Sequence, residues 1–539
     1  MPTKLAACDP CRSSKLACDH ALPVCARCHE KNRAGTCVYR ARPFKRRQPA
    51  RTQTRDASYH KKIFDHIPQD IEDELHHPSS HPRNHFHKQP EHSVNEADIA
   101  YGAKLVEKIQ QCTNVLSCSR LVTAWISKEV NLALAGSLTK KSAQTMEHIF
   151  DGLNGETDEA LHISRNLFLH SSRPLAIERT STFDHFCASF CTESARWETI
   201  GLFFTAVARA TIDLTSFGSL FTTEQQCLGL QKLATRFSDQ CLDIALSLDC
   251  LNDLQLLLQY ENFINHSFVD GDQSYHSWRR LGDVASSIFA LGYHEHIDHN
   301  ESAPSFVKDL RWAAFACAYS GDKNVSIFLG RPPRIQRKYC RLELPGNANG
   351  VPSSDTPSSL EHFRWSPDEN FDYTADTRWS FLCALLKEEA LDLFQEKNYE
   401  ERVRRANAEV DWNALPPRFR LEGALKYCGR KAVERDFMAS ARLNHLHILF
   451  LLRLALVRRM AEPDSQLISI SADILSLAVE IAVLKEHLSN SGTGIVAYYG
   501  LPAAGVLSLS LLNRSFIEQE VGVSVSKIVQ DLSVLVAEV

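Results

Sequence analysis

The chain has 539 residues, 44% of them hydrophobic, which is long and apolar enough for more than one globular domain and excludes a wholly disordered protein. Its formal charge of −5 is unevenly spread: residues 1–55 hold 13 Lys and Arg against Asp9, Asp19 and Glu30, a net +10 that leaves −15 on the remainder. A small basic head on a large, mildly acidic body points to a polyanion-binding module joined to something that binds no polyanion.

From Met1 the chain runs into a cysteine cluster without an apolar stretch of signal-peptide length, so an intracellular chain with reduced thiols is expected. Cys8, Cys11, Cys18, Cys25, Cys28 and Cys37 follow the spacing C-x2-C-x6-C-x6-C-x2-C-x8-C, two similar units in tandem. Soft thiolates in C-x2-C pairs suit tetrahedral Zn²⁺. Two separate four-ligand sites would need eight ligands, so six cysteines serve two metals only if two thiolates bridge. A segment this short builds no core of its own, and metal must hold it together.

The six-cysteine spacing resembles the fungal binuclear zinc cluster transcription factors. The resemblance implies two zinc ions, with the first and fourth cysteines bridging. One ion would then sit on Cys8, Cys11, Cys18 and Cys25, and the other on Cys25, Cys28, Cys37 and Cys8. Pro23 and Tyr39 also match the family pattern. The family's reading helix would be Arg12 to Leu16, its N-terminal end in the major groove of double-stranded DNA. Lys15 matches the position that contacts a CGG triplet, where an ammonium can donate to guanine N7 and O6. Arg12, Arg27, Lys31 and Arg33 are phosphate candidates. Ser13, Ser14 and Ala17 stand where relatives often carry Lys or Arg. The serines can donate hydrogen bonds but release no counterions, so Ser14 is kept as a weaker DNA contact and the module is expected to bind less tightly than its more basic relatives.

Residues 40–55 are rich in Arg and Lys and hold no acid. Arg40, Arg42, Lys45, Arg46 and Arg47 can track the DNA backbone, serve as a nuclear localisation signal, or form a solvated basic linker. From Asp56 to about Glu96 the chain turns rich in His, Pro and Ser, with eight of its 23 histidines, and reads as a disordered linker rather than a metal site. It shows no sustained heptad pattern, so a dimer would have to form elsewhere.

From about Ala97 the pattern is helical. Residues 222–249 open with a Thr-x-x-Gln capping signal and place Leu230, Leu233, Phe237, Cys241, Ile244 and Leu248 on one face. Residues 274–292, 306–320, 379–395 and 433–460 read similarly, and no set of alternating runs would build a sheet. A turn-rich loop is expected over 344–377. The eleven remaining cysteines read as small buried hydrophobes. Residues 487–513 lack Asp, Glu, Lys and Arg, but their glycines, serines and Pro502 favour a buried helix-turn-helix over a membrane span. Stretches 196–210, 290–296 and 320–335 resemble the family's all-α middle regulatory region, a looser resemblance that covers about 100 to 515. Gly330 and Pro332-Pro333 should stop a helix, and Arg331 beside them is expected to pair with an acid.

No P-loop, Rossmann glycine fingerprint, G-x-S-x-G or H-E-x-x-H is present, so no catalytic residue is assigned and the chain is not read as an enzyme. The expected architecture is all-α: a binuclear zinc cluster DNA-binding domain over 1–40, a basic then His/Pro-rich linker over 41–96, and an all-helical regulatory domain over 97–539. The implied function is a nuclear, sequence-specific and pathway-specific regulator of RNA polymerase II transcription that reads CGG-type elements. A homodimer and a small-molecule effector or co-regulator are left open as partners, and no membrane is expected. The alternative is a helical interaction or scaffold protein whose zinc module binds protein or RNA.

Overall fold

The computed structural model describes residues 7–14, 16–39, 94–128, 136–151, 157–218, 220–295, 303–341, 365, 371, 373–398, 400, 415–457, 464–484, 494, 496–512, 522 and 524–538. The chain divides into two units, Met1–Lys88 and Gln89–Val539. In the first lie two one-turn helices, α1 (Asp9–Ser13) and α2 (Ala26–Glu30), and a 3-10 turn at Ala34–Thr36. The basic segment from residue 40 and the His/Pro-rich stretch to residue 93 lie outside the described residues.

The second unit is helical, and among its described residues there is no strand, only an isolated bridge between Phe217 and Phe221. Helices α3 (Glu96–Cys112), α4 (Val115–Ile126), α5 (Gly136–Phe150) and α6 (Thr157–Ser171) surround α8 (Trp197–Asp213) together with α9 (Glu224–Ser247). The short α7 (Phe183–Ala188), α10 (Asp253–Val269), α11 (Tyr275–Ala290) and α12 (Ser305–Leu329) build a second core. Helices α13 (Tyr373–Gln395), α14 (Ala432–Leu456), α15 (Ser465–Val483) and α16 (Leu501–Leu512) build a third, and α15 and α16 close a fourth with α17 (Val525–Glu538).

Helix α8 is apolar on all sides and accordingly buried, with Trp197, Ile200, Phe203, Phe204 and Val207 fully enclosed. Gly201 lets it lie against α10, because a Cβ there would come within 2.7 Å of Leu258. Its entry carries a buried ion pair: Arg196 Nη2 lies 3.2 Å from Glu198 Oε1 and also donates to the carbonyls of Ser171 and Arg173. Glu198 in turn accepts from the Ser171 hydroxyl and from Asn252 Nδ2, which ties α6, α8 and the start of α10 together. Every hydrogen-bonding demand of the buried carboxylate is met locally, the condition under which such a pair is tolerated.

The expected capping signal on α9 is present as a reciprocal box between Thr223 and Gln226, and Phe237, Cys241, Ile244 and Leu248 are buried. Gly330 ends α12 in the left-handed region at φ 62°, the backbone state that a helix C-terminus commonly assigns to glycine. Arg331 corrects an expectation. Its guanidinium lies 4.6 Å from the Trp278 ring centre rather than on a carboxylate. The acid of this stretch, Asp322, instead accepts the backbone N–H groups of Arg334 and Ile335 and pairs with Lys323 at 3.1 Å, both side chains fully buried. Lys323 reaches Glu388 of α13 at 3.2 Å and donates to the Ile335 carbonyl.

The expected loop over 344–377 falls largely outside the described residues, but α13 already begins at Tyr373. Of the uncharged stretch 487–513, Val496–Gly500 forms a π turn leading into α16, which packs on α15 and α17. Helix α15 is long and apolar enough to cross a membrane by length and composition, and most of it is buried in this bundle. Cys118, Cys187, Cys191, Cys241, Cys250, Cys317 and Cys383 are buried, whereas Cys112 is exposed and Cys227, Cys340 and Cys428 are half-buried.

His266 of α10 is clamped between Asp239 of α9 at 2.9 Å and Asp270 at 2.6 Å, with Arg280 of α11 also on Asp239. Burial opposes its charge, but the two carboxylates outweigh both burial and Arg280 and raise its pKa. The stabilisation is therefore complete below the ordinary imidazole value and is lost as pH rises through the raised folded-state value. Urea unfolding from about pH 6 to about pH 9 should show His266→Gln destabilised by about 1–3 kcal/mol at the acid end, with the gap narrowing as pH rises. Parallel pH profiles would mean that folding leaves the His266 pKa unshifted.

Candidate metal centre and nucleic-acid surface

Each C-x2-C pair is converted into geometry by one helical turn. Cys8 is the N-cap of α1 and Cys11 the third residue inside it; Cys25 and Cys28 stand in the same places on α2. An N-cap and the third helical position face each other, so both sulfurs of a pair converge. The backbone repeats with them. Arg12 N–H donates to Cys8 O at 2.9 Å and Leu16 N–H to Cys11 O at 2.9 Å. In the second half His29 N–H donates to Cys25 O at 3.0 Å and Arg33 N–H to Cys28 O at 2.8 Å. The tandem units of the sequence are thus two copies of one local fold, and Asp9 N–H on Val38 O at 3.0 Å closes the end of the second copy onto the start of the first.

The sulfurs meet between the copies. Cys8 Sγ lies 3.7 Å from Cys25 Sγ, 3.7 Å from Cys28 Sγ and 3.9 Å from Cys18 Sγ, and Cys11 Sγ lies 3.8 Å from Cys25 Sγ. Sulfurs about 2.3 Å from a tetrahedral zinc stand about 3.8 Å apart, so these separations are tetrahedral edges. The Sγ atoms of Cys8, Cys11, Cys25 and Cys28 all lie within 4.8 Å of one another, and Cys37 Sγ accepts Cys25 N–H at 3.4 Å. Cys18 is half-buried and its sulfur sits 3.5 Å from the Tyr39 hydroxyl, which also donates to Ala21 O at 3.1 Å.

Charge explains why protons alone serve this centre poorly. Burial resists ionisation of Cys8, Cys11, Cys18, Cys25 and Cys28, yet the Cys28 N–H and the neighbouring sulfurs hold Cys25 down to about 6. Cys28, desolvated and bonded to Cys25, is pushed up to about 12, and burial also raises Cys8 and Cys11. Hydrogen bonds also lower Cys18 against its burial, so two thiolates form at the expense of their neighbours, whereas dications would stabilise all of them together. Soft donors at tetrahedral spacing fit zinc.

Residues 6–47 match the fungal Zn(2)-Cys(6) binuclear cluster domain. The module binds two zinc ions. This domain is a DNA-binding domain of transcription factors, and the proteins that carry it are typically nuclear. No match to the chain is found among curated proteins or solved structures.

On the surface of the zinc-cluster module, Arg27, Lys31 and Arg33 are exposed. Arg12 is half-buried, with Nη2 on Asp9 Oδ1 at 2.9 Å. The Ser13 hydroxyl donates to Pro10 O at 3.1 Å, while Ser14 is exposed. Lys15, Arg40, Arg42, Lys45, Arg46 and Arg47 lie outside the described residues. Sequence reasoning missed the Asp9–Arg12 pair, although its i,i+3 spacing on a helix was visible. It also missed Asp19, whose carboxylate accepts Ala26 N–H at 3.1 Å and so caps α2.

The sulfurs are also the module's interior. Among the described residues, only Val24 and Tyr39 pack beside the cysteines, and Leu16, Leu22 and Val38 are exposed. Structural zinc contributes about 10–16 kcal/mol in small finger peptides, more than any other interaction in this unit can supply. Chelation should therefore unfold residues 7–39 and leave the helical body intact. Brief trypsin digestion followed by mass spectrometry should cut at Arg12, Arg27, Lys31 and Arg33 only after zinc is removed; equal cutting with zinc present would show that the metal does not hold the segment.

Proposed function

We propose that the chain is a sequence-specific nuclear regulator of RNA polymerase II transcription, pathway-specific in its targets, that reads CGG-type elements through its zinc cluster. The observation that carries this reading is the doubled Cys-x2-Cys turn with its sulfurs at tetrahedral spacing, within a segment that matches a DNA-binding domain. Cys8 and Cys25 are assigned as the bridging thiolates, as the resemblance implies; in support, Cys8 Sγ lies within 3.9 Å of sulfurs from both halves, and Cys25 Sγ lies within 3.8 Å of the Cys8 and Cys11 sulfurs while accepting Cys28 N–H at 3.4 Å. Lys15 is assigned the base contact, Arg12, Ser14, Arg27, Lys31 and Arg33 phosphate contacts, and Arg40, Arg42, Lys45, Arg46 and Arg47 the backbone beyond the module.

The division proposed is residues 1–40 for DNA, 41–96 as linker and 97–539 as a helical regulatory domain of the family's middle-region type, without catalysis of its own. Buried ion pairs in two of the three resembling stretches, Arg196–Glu198 and Asp322–Lys323, support a folding role for those two. An effector or co-regulator would act on this body, and a homodimer would set the number of half-sites.

The test is binding of the zinc-loaded full chain to a CGG-containing duplex and to a scrambled one. Preference for the first that disappears with chelator is expected; equal affinity for both would sink the reading. Lys15→Ala should cost about 1–3 kcal/mol and relax preference at the triplet. Cys25→Ser should drop zinc content below one ion per chain, whereas Cys37→Ser should keep one; retention of one ion by both variants would remove the bridging assignment.

A further inference from the structure

The basic residues of the zinc module are not electrically equivalent. Arg27, Lys31 and Arg33 are exposed and have no carboxylate partner among the described residues. Arg12, on the reading helix, has one: its Nη2 sits 2.9 Å from Asp9 Oδ1, one turn back along α1. Asp9 is not free to swing away, because its backbone N–H is bonded to Val38 O at 3.0 Å, where the second half closes on the first. The two side chains are only partly exposed, 27% for Asp9 and 36% for Arg12. The neighbouring Ser13 hydroxyl is already committed to Pro10 O.

We propose that Asp9 is a positioning residue that acts through Arg12 and sets how tightly the module grips DNA of any sequence. This proposal rests on the DNA-binding reading. A guanidinium has five N–H donors, and Asp9 engages only Nη2, so the remaining donors can take a phosphate oxygen while the pair stays formed. The bridge then places a carboxylate beside the phosphate, and Asp9 with Arg12 contributes no net charge. Affinity for DNA tracks the number of counterions displaced, about 0.9 in the logarithmic salt slope for each phosphate neutralised. A paired Arg12 orients the helix on the backbone but displaces less than one counterion. The effect is sequence-independent, because phosphate contacts carry no base information. It lowers binding to correct and incorrect sites by the same factor.

The experiment is fluorescence anisotropy with the zinc-loaded full chain on a CGG-containing duplex and on its scrambled counterpart, between about 50 and about 200 mM salt. Asp9→Asn keeps an acceptor for Arg12 and removes the charge. It should tighten binding to both duplexes several-fold by the same factor and steepen the slope by up to about 0.9. Asp9→Glu should behave as wild type. Arg12→Met should reduce the wild-type slope by much less than 0.9, and in that background Asp9→Asn should have no effect.

An unchanged slope in Asp9→Asn, or an Asp9→Asn effect that persists without Arg12, overturns the proposal. So does a full loss of about 0.9 in Arg12→Met alone, a measurement that leaves the residue next to Cys8 untouched. Should the zinc-loaded wild-type chain bind neither duplex at any salt, the DNA-binding reading falls and this proposal with it.

Discussion

The approach of the Cys8 and Cys25 sulfurs to 3.7 Å is the contact on which the N-terminal module depends. Both are helix N-caps, so bringing them together brings the first turns of α1 and α2 together, with the Cys11 and Cys28 sulfurs in the same cluster. Thiolates at that distance repel, and among the described residues little apolar packing opposes that repulsion. Two dications turn the repulsion into the module's folding energy. The start of α1, which is a sulfur ligand's N-cap at one end and the candidate reading surface at the other, is thereby fixed by metal chemistry. Protein packing has little part in it.

In the helical unit the corresponding task falls to buried charge. Asp322 holds the backbone of the segment after α12, while Lys323 next to it reaches Glu388 on α13, and the Tyr319 hydroxyl donates to the same carboxylate. Asp253 does likewise, receiving Arg311 through two nitrogens and the Tyr293 hydroxyl. Hydrophobic burial drives these helices together but tolerates sliding, whereas a buried carboxylate with two or three fixed donors admits one arrangement. Lys387 differs from these: burial holds it down to about 8, and its ammonium is met by the amide oxygens of Asn324 and Asn444. Neutral acceptors satisfy its hydrogen bonds without compensating its charge.

How much of this was legible follows from the range over which each signal acts. The tandem cysteine spacing is local, and it translated directly into a repeated turn with convergent sulfurs. The Thr223–Gln226 cap, the apolar stripe of α9 and the Gly330 stop are likewise contained within a few residues, and each appears as read. Arg331 was misjudged because its partner, Trp278, is 53 residues away and its nearest acid in sequence is already engaged by backbone donors and Lys323. The network around His266 joins three helices through Asp239, Asp270 and Arg280, and periodicity carries no information about which polar residues of neighbouring helices meet. The π turn at Val496–Gly500 sets Tyr499 against Asn444 and His447 in a stretch whose composition indicated only burial.

The same distinction bears on the reading helix. Composition places a net +10 on the first 55 residues, and from that total alone strong, indiscriminate adhesion to DNA would follow. The fold divides the charge. On α1 and its C-cap, Arg12 is matched by Asp9, the Ser13 hydroxyl bonds Pro10 O, and Ser14 is uncharged, whereas α2 and the turn after it carry Arg27, Lys31 and Arg33. Among the described residues, positive charge without a carboxylate partner is thus sparse on α1, which precedes Lys15, and denser on the second copy of the repeat. If the module reads DNA as proposed, phosphate attraction would strengthen binding to every sequence alike, and its concentration on the second copy would leave sequence preference to the contacts of the first. Two copies of one metal-held turn can then diverge in task while keeping the same sulfur framework.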